Sequence, residues 1–405
     1  MGWRSYQKNY LKSLRRSGRR NYVPFLLLSV MVFAGIVLYI VIKRIPSPGK
    51  QLSPQPVKSA SAITPTAAMP VQTAPIHAEL RSPGHVQLPD NVVARWIRRT
   101  MEAYRVQYGA VVAIDVKTCT PIAVVSKGPG FSAFKTYPAA SLIKLVTASA
   151  AIELQHIPPY ALFYFDSRNA TQSIRALTNG YDDGRHSITF SMALAKSNNP
   201  VFGKLALYKI GDDNFQSYLD RFYFNKSLGP SFIHISRANV DGNNVDIAQT
   251  GAGLNPDTTL SPFHAALIAQ AIASNGRMCV PFEGFGSATQ HRKQIISPAT
   301  ARELIEMMRL TITKGTSRRA FFNRRGRYIL ADIAVAGKTG SIHGDDPEGD
   351  YEWFVGIAPV KDPQIAVAAL VVNGKRWTIK GSYLGAQALL AYFFPDAAKK
   401  LLSER

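Results

Sequence analysis

Cysteine is scarce. The 405 residues hold two, Cys119 and Cys279, which rules out a disulfide-rich scaffold and a four-cysteine zinc site. The eight histidines are scattered. No H-E-x-x-H or C-x-x-C occurs, so nothing calls for a metal or another cofactor. Acidic residues are few as well, 26 Asp and Glu against 48 Lys and Arg. A hydrophobic content of 46% excludes wholesale disorder. At roughly 150 residues per domain the chain has room for two or three domains.

The shortage of acid is uneven. Residues 1–89 carry 12 Lys and Arg and a single acid, Glu79, whereas residues 90–405 carry 36 basic and 25 acidic side chains. Residues 1–22 hold seven basic residues, from Arg4 to Arg20, and no acid. One long apolar run follows, Val23 to Ile42, twenty residues without a charge. Twenty helical residues span about 30 Å, the thickness of a bilayer core. A signal peptide would have a shorter apolar region and a small-residue cleavage site. Here Lys43-Arg44-Ile45-Pro46 follows instead. The run is therefore expected to be an uncleaved transmembrane helix, with the basic tail in the cytoplasm and the body outside. This topogenic role accounts for the basic tail, and no nucleic-acid partner is expected.

Residues 43–89 are rich in Pro, Ala, Ser, Thr and Gln, with nine prolines from Pro46 to Pro89 and no apolar periodicity. Such a stretch cannot bury a core and reads as a disordered tether. Residues 90–405 read as one mixed α/β domain. Tyr108–Val116 and Pro121–Val125 predict a hairpin, and residues 141–154, 188–210, 261–274 and 297–310 read as helices. Three strand-like runs, Ile333–Val335, Tyr351–Ala358 and Ile365–Val372, precede a helix near 383–394. Five strands sharing one sheet would join the two ends of the domain at its centre. Helices would cover both faces, and a helical lobe would be inserted between the strand groups. Cys119 and Cys279 could pair outside the cytoplasm. Nothing in the sequence fixes their distance, and the reading favours free thiols.

Three short motifs lie on this framework. Ser141-Leu142-Ile143-Lys144 is an S-x-x-K, a spacing that puts both side chains on one helix face. A desolvated lysine can take the proton of a serine hydroxyl and make it a nucleophile. Ser5/Lys8, Ser47/Lys50 and Ser132/Lys135 match the same pattern, but only Ser141 opens a long apolar helix. Alone, the match favours the plainer reading of an N-cap serine. Ser197-Asn198-Asn199 is an S-x-N that doubles as a helix–helix turn, and Ser167-Arg168-Asn169 also matches. Lys338-Thr339-Gly340, with Ser341 after it, occurs once. It is not the end of a phosphate-binding loop, because position 332 is Asp where glycine is needed and residues 341–350 read as loop.

Together the three motifs, in this order, resemble the signatures of penicillin-binding proteins and serine β-lactamases. Residues 187–206 resemble the second-motif helix of penicillin-binding transpeptidases, and residues 258–281 and 314–321 resemble two further segments. Residues 349–359 resemble the strand after K-T-G. The likeness runs from about residue 92 to 395. It implies a β-lactamase/transpeptidase-like fold with a central antiparallel five-stranded sheet, and a peptidoglycan D,D-transpeptidase that also binds penicillin. By position it assigns Ser141 as nucleophile, Lys144 as its base, and Ser197 as proton relay, tuned by Lys144 and Lys338. Asn199 would hold the substrate amide, and Lys338 and Thr339 its carboxylate. Gly340 and Ser341 would complete the binding strand, the N–H groups of Ser141 and Ser341 forming the oxyanion hole.

The implied partners are peptidoglycan stem peptides, β-lactams and other cell-wall synthesis proteins. No glutamate occurs from Pro200 to Phe282, which argues against the class A β-lactamase branch. Residues 1–89 hold neither a glycosyltransferase nor a pedestal domain, which sets the chain apart from two-domain cell-division transpeptidases. A D,D-carboxypeptidase, or a sensor of β-lactams or peptidoglycan that binds without turnover, are the alternative readings.

Overall fold

The computed structural model describes residues 90–403 except 167–172, 182–183, 230–231, 233, 241 and 281–290. The basic tail, the expected span at 23–42 and the tether lie outside the described residues. Among the described residues no helix is long and apolar enough to cross a membrane.

Five strands form the central sheet: β1 (Tyr108–Asp115), β2 (Pro121–Lys127), β3 (Ala336–Asp345), β4 (Glu348–Ala358) and β5 (Ile365–Asn373). Their order is β2-β1-β5-β4-β3, and each neighbouring pair is antiparallel. The first and last strands in sequence thus meet in the middle, as expected, in a register from Tyr108↔Val372 to Asp115↔Ile365. Both faces are covered, so β5 is buried at every position. A strand covered on both faces reads as one apolar run without polar alternation. Successive side chains nevertheless serve opposite cores. Val367, Ala369 and Val371 pack with helices α1 (Val92–Ala103) and α8 (Gly381–Phe393). Ala366, Ala368 and Leu370 pack with α2 (Lys144–Gln155), α6 (Pro262–Ala273) and α7 (Pro298–Thr313).

The helical lobe includes α3 (Phe190–Lys196), α4 (Asn199–Lys204) and α5 (Asn244–Ala252). The continuous helix expected over 188–210 is broken. His186–Thr189 is a strand, α3 ends with Ser197 in the left-handed conformation (φ 57°), and α4 begins after Asn198, whose side chain accepts the Val201 N–H at 3.0 Å. The cause is local. Asn198 caps the new helix, and Pro200, which has no N–H to donate, sits in its first turn.

Two further expectations are corrected. The strand placed at Ile333–Val335 begins only at Ala336, so the Lys338-Thr339-Gly340 motif lies inside β3 and not beyond it. Residues 341–350, read as loop, are strand except for a turn at Asp346-Pro347, because β3 and β4 keep their ladder from Glu348↔Asp345 to Ile357↔Ala336. The Gly- and Asp-rich composition there suggested a loop, and cross-strand pairing overrides it. Cys119 and Cys279 are joined in a disulfide with Cα atoms 6.2 Å apart. The β1–β2 turn and the chain after α6 converge in the fold although 160 residues separate them.

Candidate active site

Ser141 is not a helix cap. It lies inside the single 3-10 turn Ala140–Ile143, which runs directly into α2 with no side-chain cap. Ala140, just before it, has φ of +50°, a conformation that costs energy for a residue with a Cβ. Surrounding contacts hold it there. The Trp353 indole N–H donates to the Pro138 carbonyl at 2.8 Å, and the Ala139 N–H donates to Thr258 O at 2.8 Å. The turn therefore presents Ser141 from a fixed backbone at the start of a buried helix.

Lys144, one turn along, is fully buried, and its Nζ stands 2.7 Å from Ser141 Oγ. The same nitrogen is 2.6 Å from Asn199 Oδ1, 2.7 Å from the Ala252 carbonyl and 3.4 Å from Ser197 Oγ. The amide oxygen of Asn199 and the carbonyl of Ala252 can only accept. A neutral amine has two N–H groups for these two acceptors and one lone pair left, directed at the Ser141 hydroxyl. The electrostatics favour that form. Burial pushes the Lys144 pKa well below that of a free lysine, and the nearby Lys338 pushes it the same way.

Lys338 projects from β3 to the other side of Ser197. Its Nζ is 2.9 Å from Ser197 Oγ and 2.6 Å from the Thr339 carbonyl. Burial lowers its pKa to about 7. Ser197 Oγ thus lies between two lysine nitrogens, both with depressed pKa values, an arrangement through which a proton can pass. The left-handed turn at Ser197 is what brings this hydroxyl and Asn199 to the same point. The helix–helix turn expected at Ser-Asn-Asn-Pro is present, and it carries both side chains to Lys144.

β3 closes the cleft beside the nucleophile. A Cβ added at Gly340 would stand 3.0 Å from Ala140 Cβ and 3.1 Å from the Ser141 N. A side chain at position 340 would push the strand off the nucleophile turn. The Thr339 hydroxyl is hydrogen-bonded to that of Thr316, and Ser341 is exposed on the strand beyond it. The structure therefore brings Ser141, Lys144, Ser197, Asn199 and Lys338 into one connected cluster, with Thr339, Gly340 and Ser341 along its edge.

Two contributors escaped the sequence reading. The Ala252 carbonyl, at the end of α5, has no side-chain signature. Its one sequence trace is Gly253, which takes φ +68° where an added Cβ would lie 2.3 Å from Ala140 O. Thr316 lies in the 314–321 segment, whose threonine could have been singled out as a hydroxyl beside the K-T-G strand. Of the other serines of S-x-x-K form, Ser5 and Ser47 lie outside the described residues. Ser132 Oγ accepts the Phe134 N–H, and Lys135 pairs with Asp346. Ser167, of the second S-x-N match, lies outside the described residues. The basic residues Arg318, Arg319, Arg324, Arg325 and Arg327 follow Thr316, and Arg318 stacks on Phe322 at 4.6 Å.

The fold and this cluster define a domain built on a serine–lysine pair at the edge of an antiparallel sheet. A family model described as penicillin binding protein transpeptidase domain matches residues 109–390, and the chain belongs to that family. Among curated proteins it is similar to the peptidoglycan D,D-transpeptidase PbpA of Mycolicibacterium smegmatis, at 28% identity over 276 residues. That match takes in 62% of this chain and 53% of the relative, so the chain spans about half the length of the curated relatives it matches. Among solved structures it resembles the transpeptidase domain of Burkholderia pseudomallei penicillin-binding protein 3. The TM-score is 0.61 at 21% identity, over 77% of this chain and 94% of that one. It also resembles the imipenem acyl-enzyme complex of penicillin-binding protein A from M. tuberculosis. There the TM-score is 0.60 at 20% identity, over 75% of this chain and 78% of that one.

Proposed function

We propose that the chain is a membrane-anchored peptidoglycan D,D-transpeptidase that works through an acyl-enzyme on Ser141 and binds penicillin by the same route. The observation that carries this reading is the Lys144 nitrogen. It is buried, depressed in basicity, supplied with exactly as many pure acceptors as a neutral amine has N–H groups, and 2.7 Å from Ser141 Oγ. Lys144 takes the Ser141 proton as Oγ bonds to the carbonyl carbon of the D-alanyl-D-alanine peptide bond. The oxyanion lies against the N–H groups of Ser141 and Ser341. Asn199 holds the substrate amide, and Lys338 and Thr339 receive its carboxylate. Ser197 passes a proton to the departing D-alanine amine as the C–N bond breaks. An acceptor amine then attacks the ester and regenerates Ser141.

Residues 1–22 lie in the cytoplasm, 23–42 span the membrane, 43–89 form the tether and the domain from residue 90 works outside. The Cys119–Cys279 disulfide supports that location, since disulfides persist in oxidising compartments. The partners are stem peptides, β-lactams and other cell-wall synthesis proteins, with no cofactor.

The test uses the full-length chain in detergent with a stem pentapeptide ending in D-Ala-D-Ala, with and without an amine acceptor. Release of D-alanine together with a cross-linked product in the presence of acceptor is the expected result. Release by hydrolysis alone would make it a carboxypeptidase, and no turnover with stoichiometric penicillin binding would make it a sensor.

A further inference from the structure

Directly across the sheet ladder from Ser341, on β4, stands Glu352. It is a charged residue in an otherwise apolar run, Tyr351-Glu352-Trp353-Phe354-Val355, and it is only 5% exposed. Burying a carboxylate is costly unless its oxygens are matched. Two groups match it. Ser341 is its directly opposed cross-strand partner, on the same face of the ladder, and Lys380 Nζ stands 3.5 Å from Oε2. Lys380 caps the start of α8 with no side-chain cap bond of its own. A cation there is opposed by the helix dipole, and the carboxylate beside it offsets this. The helix end is pressed against the strand at this point, for a Cβ on Gly381 would lie 2.1 Å from the Glu352 carbonyl oxygen.

Three elements therefore converge on one carboxylate: β3 through Ser341, β4 through Glu352, and the start of α8 through Lys380. Asp350, two residues along β4, is the other charge acting on it. Burial lifts the Glu352 carboxyl above the ordinary glutamate range, and Lys380 and Ser341 draw it back. An ionised carboxylate can only accept, so between these two side chains the Ser341 O–H is the one group able to donate. Ser341 is exposed and, alone on an edge strand, would rotate among its rotamers.

We propose that Glu352 is a positioning residue for acyl transfer: by accepting the Ser341 hydroxyl from behind the sheet edge, it fixes the side chain that follows the Lys338-Thr339-Gly340 motif and holds the β3 edge against the Ser141 turn. It does not touch the reacting atoms. This rests on the acyl-transfer reading of Ser141 given above.

The test measures acylation of the full-length chain by a fluorescent penicillin as a function of ligand concentration. This separates the limiting acylation rate from half-saturation. Glu352→Ala and Glu352→Leu remove the acceptor, and the leucine fills the volume should the alanine variant not fold. Glu352→Gln keeps an acceptor in place. The expected result is a limiting rate about tenfold lower for the first two, with half-saturation little changed, and a rate within about twofold of wild type for Glu352→Gln. One hydrogen bond to a charged group is strong enough to account for such a loss. Ser341→Ala should also slow acylation, and Ser341→Ala/Glu352→Leu should be no slower than the slower single variant, because the two residues form one unit. A wild-type limiting rate in a folded Glu352→Leu chain, or penalties that multiply in the double variant, would overturn the assignment. Failure of the wild-type chain itself to take up penicillin would instead overturn the acyl-transfer reading, and this inference with it.

Discussion

Replacing Asn199 with Asp changes one atom type at the most sensitive point of the site. Asn199 Oδ1 is a neutral acceptor 2.6 Å from Lys144 Nζ. An Asp oxygen in that position carries negative charge. At an effective dielectric of about 20, two unit charges at this separation attract by about 6 kcal/mol, an upper figure before desolvation and relaxation. Measured effects of an opposite charge at such range are smaller, and correspond to about a ten- to thousandfold preference for the ammonium form. The ammonium has no lone pair for the Ser141 hydroxyl. Acylation by penicillin near pH 7 is therefore expected to fall about 10- to 1000-fold in Asn199→Asp. The loss should be recovered as pH rises, because deprotonating Lys144 restores the base.

Asn199→Ala is the control. It removes the proposed contact to the substrate amide without adding charge, so it should slow acylation at every pH and leave the ascending limb of the profile where wild type has it. The assay is the rate of fluorescent-penicillin labelling from about pH 5.5 to 10, with thermal melting at each pH to show that the variants are folded. An Asn199→Asp profile that rises at the same pH as wild type would refute the role given to the Lys144 lone pair.

Other outcomes follow from the same geometry. Ser141→Ala should abolish penicillin labelling while Ser132→Ala leaves it nearly intact. Labelling at the normal rate by a folded Ser141→Ala chain would show that the nucleophile is elsewhere. Lys144→Ala should suppress labelling too, and the Ser141→Ala/Lys144→Ala pair should lose little more than either alone, since parts of one catalytic unit are non-additive. With no glutamate between Asn199 and Glu283, the penicilloyl adduct should persist through many turnover times of a true β-lactamase. Rapid multiple-turnover loss of penicillin absorbance would show that another residue activates water. Cys119→Ser with Cys279→Ser opens a loop closed across 160 residues and should cost about 2–5 kcal/mol of stability. A melting temperature unmoved by the change would contradict that contribution. Protease added to spheroplasts should digest the body and leave a small protected stub, and full protection of the body would reverse the proposed topology.

Much of the architecture was legible without coordinates. The two apolar runs at 108–125, the closing runs at 351–358 and 365–372 and the helices near 141, 261, 297 and 383 stand within a few residues of where periodicity put them. Apolar spacing is a local property, and it survives folding wherever a helix or strand has a fixed core face. The motifs of the candidate site were legible because serine and lysine three apart, Ser-Asn-Asn-Pro and Lys-Thr-Gly-Ser each sit at the start, break or edge of such an element. Local composition failed where pairing overrules it. The Gly- and Asp-rich stretch after Lys338 is strand because β4 lies beside it, and a helix run through 188–210 is broken because Asn198 and Pro200 start a new one.

Sequence alone thus determined which residue types were on hand and on which elements they ride, since those follow from neighbours along the chain. Only the tertiary structure decided that Ser141, and not Ser132, meets a buried lysine, because burial and desolvation depend on α5, β3 and α4 arriving from positions more than fifty residues away. The same holds for the Ala252 carbonyl that takes one Lys144 hydrogen, for the meeting of Cys119 with Cys279, and for the pairing of Glu352 with Ser341 across β3 and β4. None of these has a pattern along the chain, for each is a contact between backbones and side chains that only packing brings within reach.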